Sequence, residues 1–155
     1  QQVADPQTLY NFPANRFVAG FIGTPPMNFF AGEITGQNGA LQFREKGGTT
    51  PFVIALAANG PLPQKLEFGS AVVLGVRPEH IADGTGDDVG TTLEARVEFI
   101  EPTGAETYLH LATSAHHFIA RVAPGFAPVI GSAVRVRFDP AKARWFNPQT
   151  GAAIV

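Results

Sequence analysis

The four histidines, His80, His110, His116 and His117, are the side chains of this sequence best suited to holding a metal or moving a proton. Adjacent residues on a strand point to opposite faces, so at most one of His116 and His117 can share a face with His110. No Asp, Glu or Cys stands at an evident ligand spacing from them, and structural roles are expected rather than a metal site. Ser70, Ser114 and Ser132 lack the G-x-S-x-G elbow that exposes a nucleophile, and the carboxylates form no identifiable acid and base pair. Gly84-Thr85-Gly86-Asp87-Asp88-Val89-Gly90 resembles a dinucleotide loop, but its spacing is one residue too long and its two aspartates would repel a pyrophosphate. The pattern G-x-x-x-x-G-K-[ST], whose amides and lysine cradle a triphosphate, does not occur in the 155 residues. No catalytic residue, metal or cofactor is therefore expected in this chain.

Arg77 is the charged residue whose setting is most specific. It follows the apolar run Val72 to Val76 and precedes Pro78, which has no N–H to continue a ladder, so it emerges where a strand ends. Its fork-shaped guanidinium suits a carboxylate or backbone carbonyls, on its own loop or on a neighbour. A local salt bridge there would contribute on the order of 0 to 1 kcal/mol if exposed. Thirteen of the sixteen aromatic residues are Phe, which lacks the polar tip of a sugar-stacking platform, so most are expected in the core. Trp145 and Phe146 either close a last strand or present a patch to a partner.

The elements that carry these residues change character along the chain. Asp5 before Pro6 opens a short helix through Leu9 and Tyr10, which Asn11 to Pro13 break. A second helix is expected from about Ala14 to Ile22, with Phe17, Val18, Phe21 and Ile22 on one stripe, ended by Gly23 with Pro25 and Pro26. A helix this short does not stand alone, so that stripe must lean on something. Met27 and Asn28 read as a rigid turn into the first strand. Beyond them the signal is β, clearest at 92–100, where Leu93, Ala95, Val97 and Phe99 should face one way. Similar runs occur at 28–35, 40–45, 51–57, 71–77, 106–112, 117–122 and 133–138. The acidic, glycine-rich 82–91 reads as an exposed, mobile loop. So many short antiparallel strands need a closed or doubled sheet to hide their edges, a barrel or a sandwich.

Composition bounds the answer without deciding it. A chain of 155 residues, 45% hydrophobic and 15% charged, with no apolar run of 18 residues, is of single-domain globular type. Without cysteine it has neither disulfides nor thiolate chemistry. Its 11 basic residues are scattered against a net charge of -2, only Arg135 and Arg137 sharing a strand face, so no nucleic-acid partner is expected. No secretory signal pattern is visible, so a cytoplasmic address is the simplest expectation. The opening Gln hints at an excised or processed piece.

The order of a helix containing FVAGFIG (17–23), then TPPMN (24–28), then a strand closing on LGVRPEH (74–80), resembles the C-terminal part of carbohydrate-importer ABC ATPases, such as the maltose and glycerol-phosphate transporter subunits. The phrase Gln2 to Tyr10, the late segment Val97 to Thr107 and the closing Trp145 to Gly151 are similar too, so the resemblance covers essentially the whole chain. Ala4 departs from the family's usual Gly. The resemblance implies a mainly β, OB-like antiparallel β-barrel with two short N-terminal helices. It divides the chain into 1–23, a helical connector from a nucleotide-binding domain, and 24–155, a regulatory barrel. It further implies a non-catalytic regulatory and dimerisation role, with ATP and Mg bound only by the nucleotide-binding domain. The implied partners are that domain, a second copy of the chain, membrane permease subunits reached through the parent ATPase, and in some members a regulatory protein. The implied location is cytoplasmic, peripheral to the inner membrane. Phe17, Phe21, Ile22, Met27, Asn28, Arg77, Glu79, Trp145 and Phe146 become candidate domain or subunit contacts, with Arg77 at a domain junction.

The rival reading is a stand-alone OB-like module that binds a small oxyanion or carbohydrate, because related barrels capture oxyanions. An anion site needs converging amides or basic side chains, and Arg77, Arg121, Arg135 and Arg137 are scattered candidates for it.

Overall fold

Asp5 and Asn15 each start a helix by the same device. The computed structural model describes residues 2–37, 40–56, 63, 65–85 and 91–155. In it the Asp5 carboxylate accepts from Thr8 N at the head of α1 (Pro6–Asn11), and the Asn15 side chain accepts from Val18 N at the head of α2 (Arg16–Phe21). Because Asn15 is the cap, α2 begins two residues later than expected from the stripe, and Ile22 is already extended. Gly23 then takes a φ of 109°, where an added Cβ would lie 2.9 Å from the Arg77 guanidinium. The Thr24–Pro25 bond is cis, and the chain enters the first strand at Asn28.

Among the described residues ten strands follow: β1 (Asn28–Gln37), β2 (Ala40–Glu45), β3 (Val53–Ala55), β4 (Ala71–Val76), β5 (Ile81–Asp83), β6 (Thr92–Pro102), β7 (Thr107–Ala112), β8 (His117–Val122), β9 (Ala133–Phe138) and β10 (Arg144–Phe146). They form two five-stranded antiparallel sheets, β10-β4-β1-β2-β3 and β5-β9-β6-β7-β8. Together these make a nearly closed barrel of OB-like architecture, as the resemblance implied. A 3₁₀ turn at Pro78–His80 carries the chain from β4 of one sheet to β5 of the other.

Two expectations give way here. Ala82 and Asp83, expected at the start of a loop, lie on β5, which pairs with β9, and Gly84 N donates to Arg135 O at its end; residues 86–90 of that expected loop lie outside the described residues. Phe99 is exposed, because a bulge between Val97 and Phe99 shifts the register of β6 and turns Ile100 toward the core in its place.

The core joins both sheets through aromatic edges. Phe30 of β1 is fully buried, its ring centre 5.4 Å from that of Phe52, 5.2 Å from Phe118 of β8 and 5.5 Å from Phe138 of β9. Six phenylalanines are buried in this way, whereas Phe12, Phe17, Phe21, Phe68 and Phe99 are exposed, so the expectation of a mostly internal set holds for about half of them. Where the sheets meet at β1 and β8, side chains stand in for ladder bonds. The Asn28 carboxamide donates to Ile119 O at 2.8 Å and accepts from Ile119 N at 2.9 Å, as a peptide of a neighbouring strand would. His116 Nε2 accepts from Ala31 N at 3.1 Å, so its proton sits on Nδ1, which faces the buried Glu45 carboxylate at 2.6 Å. Thr113 Oγ1 and Phe52 N also donate to Glu45, satisfying it inside the protein.

Candidate interaction surface on the helical strap

Residues 2–27 lie as a strap whose second helix packs on the outer face of the β10-β4-β1 sheet, seated by a few small apolar contacts and by polar side chains that reach out from the barrel. Of α2 only Val18 and Ala19 are buried, and Ala19 packs with Met27, Val73 and Phe146 in a small cluster apart from the main core. The Arg77 guanidinium, 2% exposed, donates through Nη1 to Ile22 O at 2.7 Å and through Nη2 to Tyr10 O at 2.8 Å. It also lies 3.7 Å from the centre of the Tyr10 ring. Burial, aided by repulsion from Arg144, pulls its pKa down to about 10, which leaves it charged at neutral pH. Arg144 Nε donates to Asn11 O at 2.9 Å.

The end of the chain completes the seat. The Asn147 side chain accepts from Gln149 N and Thr150 N, Gly151 follows at a φ of 75°, and the turn brings residues 151–153 back onto the strap. Arg16 N then donates to Gly151 O and Ala153 N to Ala14 O. The closing phrase Trp145 to Gly151 thus folds the last residues against the first helices.

The expected contact residues divide sharply. Phe17 and Phe21 are 65% and 76% exposed, their rings stacked at 6.2 Å with planes 6° apart. With Arg16, Gly20 and Phe29 they line an open apolar shelf, and the Arg16 guanidinium stands 5.0 Å over the Phe29 ring. The stripe of four is therefore corrected: Val18 turns inward, Ile22 is half-buried and only the two phenylalanines face out. Glu79, in the 3₁₀ turn after Arg77, is half-exposed. Met27, Asn28, Arg77, Trp145 and Phe146 are buried within the chain and offer no surface to a partner. Trp145 and Phe146 lie on β10, paired with β4, where Trp145 meets Phe43 and Phe146 meets Phe29. Arg77 uses both terminal nitrogens on the chain's own carbonyls.

Tyr10, Asn11 and Arg144 belong to this arrangement and were not singled out by sequence reasoning. Arg144 carried a partial signal as the cation directly before the closing aromatic pair. Of the scattered arginines, Arg121 pairs with Glu106 at 3.1 Å and Arg135 donates to Thr92. Among the described residues no group of three or more His, Cys, Asp or Glu could hold a metal ion, and no helix is long and apolar enough to cross a membrane.

Comparison with known proteins gives this geometry its context. Residues 23–81 match the MalK OB fold domain and residues 74–146 match the TOBE domain. The trehalose import ATP-binding protein SugC of Mycobacterium tuberculosis is 35% identical over 98% of this chain and 44% of its own length. The sulfoquinovosyl glycerol transport ATP-binding protein SmoE of Agrobacterium fabrum is 32% identical over 99% of this chain and 40% of its own. The chain thus spans less than half the length of the curated relatives it matches. A solved structure of the cytoplasmic molybdate-binding protein ModG, with molybdate bound, superposes with a TM-score of 0.51 at 17% identity, over 78% of this chain and 96% of that one. At that identity the likeness is one of fold alone. The two overlapping matches make this chain a member of the MalK-type OB-fold and TOBE domain families, and SugC and SmoE, which it resembles end to end, are ATP-binding proteins of trehalose import and of sulfoquinovosyl glycerol transport.

Proposed function

We propose that the chain is the C-terminal, non-catalytic regulatory and dimerisation module of the ATP-binding subunit of an importer for sugars or sugar-like solutes. The observation that carries this reading is its alignment, over almost its whole length, with ATP-binding subunits of which it spans under half. ATP and Mg would be held by a nucleotide-binding domain, since the phosphate-cradling pattern is absent from these residues. Residues 1–23 act as the connector and residues 24–155 as the barrel. The exposed Phe17–Phe21 pair is the surface offered to the nucleotide-binding domain, held in a fixed attitude by Arg77 and Arg144. Pairing of two such modules keeps two nucleotide-binding domains at high effective concentration, so an element without chemistry can bias a hydrolysis cycle. Permease subunits are reached through the parent ATPase on the cytoplasmic face of the inner membrane, and a regulatory protein is a further partner.

The double variant Phe17→Ser/Phe21→Ser tests the docking surface in two settings. In the 155-residue chain the unfolding free energy read from urea titration should stay within about 0.5 kcal/mol of the parent, as for exposed positions generally. In the subunit that includes a nucleotide-binding domain, the same changes should uncouple ATP hydrolysis from transport. A loss of about 3 kcal/mol or more in the chain alone would show the pair to be internal core and defeat the docking role. Pairing is checked separately by light scattering: a molecular weight that stays monomeric with rising concentration, in the chain and in the subunit alike, counts against it.

A further inference from the structure

Phe99 of β6, and Val129 and Ile130 of the segment that leads into β9, are each more than half exposed. The strap covers part of the β10-β4-β1 sheet, whereas these three belong to the outer face of the other sheet. The bulge between Val97 and Phe99 aims that ring at water, a use to which bulges are often put. Gly131 N donates to Val97 O at 2.7 Å and Val97 N to Ser132 O at 3.0 Å, which holds residues 129–132 beside the bulge. The Phe99 ring is braced by the His110 ring, edge to face at 5.3 Å, and His110 Nε2 lies 3.0 Å from Glu101 Oε1. Apolar side chains scattered singly on a surface need no explanation, but a braced ring flanked by two more is a projection fixed by the backbone.

A cleft of about 320 Å³ adjoins that projection, lined by the small residues Ala95, Ala112, Gly131 and Ala133, with Thr50 and Ser114 among its other walls. It begins at the residue after Ile130, and Arg96 of β6 pairs with both Ala112 and Ala133 across it. A cavity of about 150 Å³ admits a benzene ring, so there is room here for one aromatic side chain. The charges of the same face are interleaved: Arg96 Nη2 lies 2.6 Å from Glu98, Arg121 Nε lies 3.1 Å from Glu106, and Glu94 stands opposite Arg135. An aromatic centre ringed by paired charges is the anatomy of a protein interface, and mixed signs let such a face meet a like one without repulsion.

We propose that this face pairs with the same face of a second copy of the chain, Phe99 and Ile130 of each copy entering the cleft beside Ala112 and Ala133 of the other. A two-fold pairing requires one surface to carry both a group and the receptor for it, and here the two lie side by side. A foreign partner would need only one of them. The assignment rests on the pairing of modules proposed above and says which surface performs it. It leaves Phe17 and Phe21, on the strap over the other sheet, free for the nucleotide-binding domain at the same time.

The test compares self-association of the parent, Phe99→Ser and Ala133→Trp by sedimentation velocity, in the 155-residue chain and in the nucleotide-free subunit that contains it. The first substitution removes the projection and the second fills the cleft, both at exposed positions. Each contact occurs twice in a two-fold dimer, so a loss of about tenfold per contact becomes about a hundredfold in either variant alone. An equimolar mixture of the two variants keeps one intact projection facing one intact cleft. It should therefore pair about tenfold more tightly than either variant alone, and such recovery also shows that both are folded. If the parent pairs and either variant pairs as well as it does, or the mixture gains nothing, the surface is misassigned while pairing itself stands. A variant that pairs normally but alters ATP hydrolysis by the subunit gives the face to another domain and overturns the assignment. A parent that stays monomeric in both settings removes the pairing of modules, and this assignment with it.

Discussion

The barrel and the strap are held together by opposite means. Phe30 draws rings from both sheets into one apolar centre, and its neighbours Phe118 and Phe138 come from far along the chain. Within the strap Pro13, Val18, Ala19 and Met27 are buried, Ala19 and Met27 in a cluster separate from that centre. Six-residue helices are too short to persist by themselves, so α1 and α2 exist here because they are capped and seated. Their position comes from Arg77 and Arg144 reaching strap carbonyls and from the backbone bonds of Gly151 and Ala153. Apolar packing supplies most of the stabilisation, whereas directed hydrogen bonds fix a place. The barrel is built to be stable, and the strap is built to be located.

The largest effect should come from Phe30→Ala, which empties the shared centre of both sheets. A loss of about 3–5 kcal/mol is expected, read as a lower urea midpoint in one cooperative transition. Arg77→Met should come next. It keeps an apolar stem and removes two charge-assisted bonds, each contributing roughly 1.5–3 kcal/mol before the relief of burying a charge is set against them. About 2–3 kcal/mol is therefore expected, and its location matters more than its size. Hydrogen exchange should rise at amides of α1 and α2 while β6 and β7 keep their protection. If Arg77→Met instead lowers protection across the barrel, the two regions are one cooperative unit and the contrast between them fails.

This contrast also explains which features could be read from residue order. The strands at 40–45, 117–122 and 133–138 coincide with the runs that mark them, because each is long enough to show its period and Gly or Pro punctuates its ends. The bulge in β6 is not visible in that way: alternation predicts Phe99 inward, and only pairing with β7 sets the shift. β5, with three residues, is too short to show a period, and its ladder is made by β9, more than fifty positions later in the sequence. Helical spacing grouped Phe17, Val18, Phe21 and Ile22, but spacing cannot say which arc of a helix a barrel will cover. The surface under α2 admits the small Ala19, so Val18 and Ala19 go in and the phenylalanines stay out. Arg77 was recognisable as a guanidinium seeking carbonyls or a carboxylate, yet its acceptors lie 55 and 67 positions earlier, beyond the reach of any local pattern. Trp145 and Phe146 were legible as an aromatic pair, and their burial depends on a three-residue strand finding β4.

The smallest effect sits at the meeting point of the two regions. His80 donates its backbone N–H to Arg77 O and accepts at its carbonyl from Asp139 N, so it is tied to both the strap's anchor and the barrel. Its pKa lies below the ordinary 6.5 in the folded protein, chiefly through burial. On acidification the unfolded chain therefore takes up this proton first, at about its ordinary value. The contribution of His80 is fully present above pH 6.5 and is lost as pH falls through the folded-state value. Asp5, Asp83 and Glu98, whose carboxyls are lowered chiefly by hydrogen bonds from Thr8, Thr85 and Arg96, lose their contributions below the ordinary 3.8 to 4.5, a separate and more acidic window. A shallow decline in melting temperature just under pH 6.5 should thus flatten in His80→Gln, while the steeper decline at lower pH persists. A decline untouched by the substitution would assign that window to other groups and remove His80 from the coupling between strap and barrel.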